Sequence, residues 1–142
     1  MKHVSSWLLI VTLLTGCAGF SGRLYPIQGP LSAQSPLPIY QLHASIMQST
    51  ITATLQNEEV CQGTWGPLTP DNPSSNAMSA QWDAVYGQGF FIAHILGKNG
   101  LSSGVATGNQ GTTLNVEIFI AQPGQVSGVA ADNKGNLYKL AF

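Results

Sequence analysis

Ser103-Gly104-Val105-Ala106-Thr107-Gly108-Asn109-Gln110-Gly111 is echoed 24 residues later by Ser127-Gly128-Val129-Ala130-Ala131-Asp132-Asn133-Lys134-Gly135, with Ser, Gly, Val, Ala, Asn and Gly identical. The reading of this repeat decides the fold class. Each copy holds a short strand pattern, an Asn-x-Gly loop and a return strand. Asn-x-Gly suits a three-residue hairpin loop in which the glycine takes the left-handed conformation and forms a bulge. The first return strand places Leu114, Val116, Ile118 and Ile120 on one face, and the second groups Tyr138, Leu140 and Phe142. Two copies are too few for a solenoid, so duplicated hairpins within one sheet are expected.

Outward from the repeat, Met47, Ile51, Ala53 and Leu55 alternate with Gln48, Thr50, Thr52 and Thr54, as in a half-buried strand. The polar turn Gln56-Asn57-Glu58-Glu59 and a strand from Val60 to Trp65 complete a hairpin. Residues 66–76 read as a loop. One helix is expected over 77–86, with Met78, Trp82, Val85 and Tyr86 on one stripe, Asn76 as cap, and Gly87 and Gly89 as its stop. Phe90 to Leu96 reads as an apolar strand with His94 beside Ile92 and Leu96. The expected fold is mainly β: a small antiparallel β-barrel or β-sandwich of about six to eight strands with one short helix. The chain ends inside a strand pattern, so removing its last residues should destabilise the domain.

The 142 residues carry five Lys plus Arg against six Asp plus Glu. With no basic patch, nucleic acid is not an expected partner. Pro26, Pro30, Pro36 and Pro38 punctuate residues 17–40, which read as a tether ahead of a domain at 41–142. Leu24, Tyr25, Ile27 and Leu31 are apolar enough that part of this tether should pack along the domain.

Residues 1–16 have the parts of an export signal: Lys2, an apolar run from Trp7 to Leu14, and a small residue before the cut. The run is far shorter than the roughly 20 residues that span a bilayer. Leu14-Thr15-Gly16-Cys17 resembles the lipobox of bacterial lipoproteins, and the chain is similar to small outer-membrane lipoproteins of Gram-negative bacteria. The resemblance implies transfer of a diacylglycerol to the Cys17 sulfur, cleavage before Cys17, and a membrane partner through the lipid anchor. Ala18, where an Asp would favour inner-membrane retention, implies the outer membrane.

If Cys17 carries lipid, Cys61 has no intramolecular disulfide partner and reads as a small buried hydrophobe. A thiol-dependent or hydrolytic enzyme would draw on Cys61 or His94, yet no local catalytic signature surrounds either. Metal and cofactor sites are not expected, because His43, His94 and Cys61 are dispersed and no glycine segment matches a phosphate loop. Asp132 to Asn136 superficially resembles a calcium loop, but Lys134 stands where an oxygen ligand is needed. Trp65 and Trp82 are candidates for stacking on sugar rings, although their spacing suits a core; Tyr25 and Tyr40 are the better aromatic candidates if exposed. Glu58, Glu59 and Asp132 lie at turns and are expected to be solvated. The leading expectation is a lipid-anchored, non-enzymatic envelope protein that binds or supports a protein complex, peptidoglycan or an inhibited enzyme. A small hydrolase and a passive spacer are the alternatives.

Overall fold

Alternating apolar residues commit most of this chain to strands. The computed structural model, which describes residues 18–68 and 77–142, arranges them as β1 (Gly19–Gln28), β2 (Tyr40–Ser45), β3 (Thr50–Thr54), β4 (Val60–Pro67), β5 (Leu101–Gly108), β6 (Thr113–Gln122), β7 (Gln125–Asp132) and β8 (Leu137–Ala141). These eight form a closed barrel in chain order, each antiparallel to the next. The ring closes where β8 pairs with β1, Leu24 opposite Leu140 and Arg23 opposite Ala141. Between β4 and β5 the chain inserts α1 (Ser79–Tyr86) and the single-turn α2 (Phe90–His94).

The period-two pattern assigns the two faces. Leu24, Leu42, Ala53, Cys61, Ala106, Val116, Ile118, Ala130, Tyr138 and Leu140 point inward and form one buried cluster. Inward positions on neighbouring strands often pair a large residue with a small one, as Leu42 with Ala53 and Tyr138 with Ala130, an alternation that fills a small barrel. Gly63 allows β4 and β5 to approach, since a Cβ there would lie 2.9 Å from Ala106 Cα. A second cluster lies outside the ring: Trp82, Phe91 and Ile95 of the insert cover Leu101, Phe119 and Val129 on the outer face of β5–β7.

Connections alternate between the ends. The β1–β2, β3–β4, β5–β6 and β7–β8 loops share one end, termed distal. The β2–β3 and β6–β7 turns, the insert and both described termini mark the other, proximal end.

Several expectations are corrected. Residues 17–40 are not a tether ahead of the barrel, because β1 begins at Gly19 and pairs on both sides. Pro26 fits because it adjoins a register shift against β8, where the regular ladder is interrupted. Pro30 begins a 3-10 turn over Pro30–Ala33 whose Leu31 is buried. Phe90 to Leu96 is not a strand. Gly87 and Gly89 turn the backbone with positive φ, and the Asp83 carboxylate accepts hydrogen bonds from Gly89 N at 3.0 Å and Phe91 N at 2.9 Å, starting a helical turn. The chain thus has a second short helix. Met47 sits exposed in the β2–β3 turn and not on the buried face of β3. The proposed cap Asn76 lies outside the described residues, as do residues 69–75 of the expected loop.

Candidate functional site

The structure separates the residues singled out from the sequence. Cys17 lies outside the described residues. Cys61 is fully buried inside the barrel, where burial first and the Glu59 charge second push its thiol up, away from thiolate. His94 stands outside the ring on α2, its ring 4.6 Å from that of Phe90. The two are on opposite sides of the barrel wall and cannot form a catalytic pair. Trp82 is fully buried, and its indole donates to Glu117 Oε2 at 2.6 Å. Trp65 donates to Ser45 O at 2.9 Å at the proximal lip. Tyr40 is also inside the barrel, so of the two tyrosines only Tyr25 remains on the outer face.

Tyr25 belongs to a groove of about 590 Å³ on the face away from the insert, lined by Ser21, Arg23, Gln41, His43, Thr52 and Thr54 among others. Strand register builds it as two transverse rows. Arg23 lies opposite Gln41, which lies opposite Thr54; one step along, Ser21 lies opposite His43, which lies opposite Thr52. The β8 end, Ala141 and Phe142, forms one side. Ser21 Oγ and His43 Nδ1 share a hydrogen bond at 3.1 Å, which orients the imidazole. Arg23 is exposed and has no carboxylate within ion-pair distance among the described residues. The lining thus offers a free guanidinium, an imidazole, an amide, hydroxyls and one phenol ring. Ser and His adjacent to each other resemble half of a nucleophilic site, and the groove lining brings no Asp or Glu side chain to the imidazole as a third member. Sequence reading missed Arg23, Gln41 and His43 as a set. The available signal was the alternation Ser21-x-Arg23-x-Tyr25 and Gln41-x-His43, which the surrounding prolines obscured.

Two carboxylates organise the distal end. Glu59 is only 2% exposed, contrary to the solvated turn expected for it. Its Oε1 accepts from Gln110 N at 3.0 Å and Thr112 N at 2.9 Å, and its Oε2 accepts from Thr112 Oγ1 at 2.6 Å. Burial pushes the Glu59 carboxyl up, but the bonds from Thr112 and Gln110, with Lys134 nearby, outweigh it and hold the group below the ordinary glutamate value. In the second copy of the repeat, Asp132 Oδ1 accepts from Lys134 N and Asn136 N, each at 2.9 Å, and Oδ2 accepts from Asn136 Nδ2 at 2.9 Å and Tyr138 OH at 2.7 Å. These bonds use up the carboxylate, so the turn is held by its own aspartate and not by calcium. No cluster of three potential metal ligands occurs among the described residues. A cavity of about 80 Å³ between the two carboxylates and Tyr40 is sized for ordered water, each molecule occupying about 30 Å³.

Under the insert, Glu117 of β6 is a second buried carboxylate. It accepts from Met78 N at 2.8 Å as well as from Trp82 Nε1, so a strand residue caps the start of α1. Burial pushes its carboxyl up, and the two hydrogen bonds only partly oppose this. Trp82, Tyr86 and Phe90 stack with centroids 4.8 to 6.1 Å apart, and Lys139 Nζ lies 5.4 Å above the Tyr86 ring. This is a packing unit with its polar tips satisfied, and Tyr86 OH donates to Gly128 O at 3.0 Å. No family model matches the chain, and no curated protein or solved structure matches it either.

Proposed function

We propose that the chain is a lipid-anchored, non-enzymatic protein of the Gram-negative cell envelope, held at the outer membrane through Cys17, and that its β1–β3 groove binds a wall glycan bearing carboxylates. The observation that carries this reading is the groove itself. The Arg23 guanidinium, without an ion-pair partner among the described residues, is suited to a carboxylate as a charge-assisted, bidentate acceptor. Gln41, Thr52 and Thr54 supply the neutral donors and acceptors that sugar hydroxyls require, and the Tyr25 ring offers an apolar face. The barrel interior is filled by side chains, which supports binding on the outer wall over carriage of a ligand inside. The barrel wall between Cys61 and His94 keeps these two from acting together, which supports a binding role over chemistry that pairs them.

Co-sedimentation with purified peptidoglycan sacculi tests the proposal. Wild-type protein should pellet with sacculi, Arg23→Ala and Gln41→Ala should weaken this, and Lys98→Ala, away from the groove, should not. Equal pelleting of all four proteins would remove the groove from the binding. No pelleting by the wild type would favour the spacer reading.

A further inference from the structure

We infer that the barrel stands end-on against the bilayer, its proximal rim seated in the lipid interface through Ile46 and Met47, with the aromatic trio Phe20, Trp65 and Phe142 behind them. The inference rests on the reading of Cys17 as the lipidated residue, and goes beyond it by fixing which surface meets the lipid. Ala18 is described, and its carbonyl accepts a hydrogen bond from Ile46 N at 3.1 Å, tying it to the β2–β3 turn. Cys17 is one peptide bond away, a Cα separation of about 3.8 Å. A diacylglyceryl group on its sulfur therefore enters the membrane beside that turn, with no tether between anchor and barrel.

The surface at this end suits lipid. Turn tips are ordinarily built from Gly, Pro, Asn, Asp and Ser, yet here Ile46 is 50% and Met47 79% exposed. Phe142 is 43% exposed, and its ring lies 6.0 Å from that of Phe20, which in turn lies 6.4 Å from that of Trp65. Aromatic rings beside aliphatic tips are what membrane interfaces select. Charge is polarised in the same sense. The proximal turns, Ile46 to Ser49 and Gln122 to Gln125, carry no charge, and Lys98 stands near the rim beside Ala121 and Gln125. Glu58, Glu59 and Asp132 are at the distal end together with Lys134, which leaves that end net acidic and farthest from anionic headgroups. The two or three acyl chains of such an anchor hold the protein on the bilayer by themselves, so the apolar rim sets how the barrel stands and not whether it is attached.

The test uses the mature lipidated protein in vesicles of phosphatidylethanolamine and phosphatidylglycerol, with an environment-sensitive fluorophore at the proximal tip (Gln48→Cys) or at the distal end (Asn57→Cys). Cys61 is buried and does not compete for label. The proximal label should shift to the blue and be quenched by lipids brominated near the headgroup; the distal label should do neither. Ile46→Ser with Met47→Ser should abolish the proximal quenching while the protein stays on the vesicles. Unquenched proximal label on vesicle-bound, acylated wild type would overturn end-on docking and leave the lipid anchor standing, as would quenching that survives the double substitution. Mass spectrometry showing an unmodified Cys17 would instead overturn the anchor, and the docking with it.

Discussion

Glu59 and Asp132 solve one problem in two ways. Both loops of the repeat turn backbone N–H groups of equivalent residues inward: Gln110 and Thr112 in the first copy, Lys134 and Asn136 in the second. Each pair needs a carboxylate. The second copy supplies it from Asp132, within the repeat. The first has Gly108 at that position, and a Cβ built there would run into Glu59 Oε1, so Glu59 reaches across from the neighbouring hairpin to fill the missing aspartate's place. Glu59→Ala should cost about 1–3 kcal/mol by leaving buried donors unsatisfied. Gly108→Asp alone should also destabilise, by crowding two carboxylates together. The double variant should be more stable than the sum of the single losses predicts, because the first copy then resembles the second; thermal denaturation in a double-mutant cycle measures that coupling. Additive losses would refute the equivalence. Since the Glu59 carboxyl is held below its ordinary 4.5, its contribution to stability is present above that pH and disappears as pH falls through the lower, folded value. Neither the burial of Glu59 nor its role was legible in Gln56-Asn57-Glu58-Glu59, because the donors it serves lie 51 and 53 residues away.

At the scale of elements, the insert is attached to the barrel by apolar cover and by the Glu117 carboxylate. Trp82→Phe keeps the cover and removes the indole donor, so it should loosen the insert, seen as faster amide exchange over α1 and α2 than over β1–β4. Glu117 gives the opposite pH dependence to Glu59. Its folded carboxyl is raised above 4.5, so the associated stability is fully present below that pH and is lost as pH rises through the folded value. Glu117→Gln should remove this decline, flattening the melting temperature over the interval where the wild type falls; an unchanged slope would place its origin elsewhere. For α2, Asp83→Ala removes the acceptor for Gly89 N and Phe91 N and should cost about 1 kcal/mol, as loss of a helix cap does. The stripe of α1 was readable from Met78, Trp82, Val85 and Tyr86 because helical period is a local property. Phe90 to Leu96 was misread because a short apolar run has no period of its own. Its conformation is set by Asp83 and two glycines before it.

For the whole molecule, closure is the decisive property. Antiparallel neighbours in chain order leave β1 and β8 to pair last along the sequence, so β8 is the closing strand and not a frayed tail. Deleting residues 137–142 should expose edges on β1 and β7 and abolish cooperative unfolding, measured by thermal denaturation. Closure also makes two ends with different surfaces, the distal one carrying Glu58, Asp132 and Lys134 and the proximal one exposing Ile46, Met47 and Phe142. It brings β1 and β2, remote from the repeat, together as the groove wall. The sequence by itself determined the strand content, the hairpins of the repeat and the faces of β3, β6 and β8, because alternation and Asn-x-Gly turns act over a few residues. Only the tertiary structure decided between barrel and sandwich, drew residues 19–28 into the ring, and assembled Arg23, Gln41 and His43 into one surface. The physical reason is that β1, interrupted by Pro26 and followed at once by Gly29 and Pro30, has no strand stability of its own. It becomes a strand here because β2 and β8 offer it backbone partners on both edges, a fact that no window of its own sequence contains.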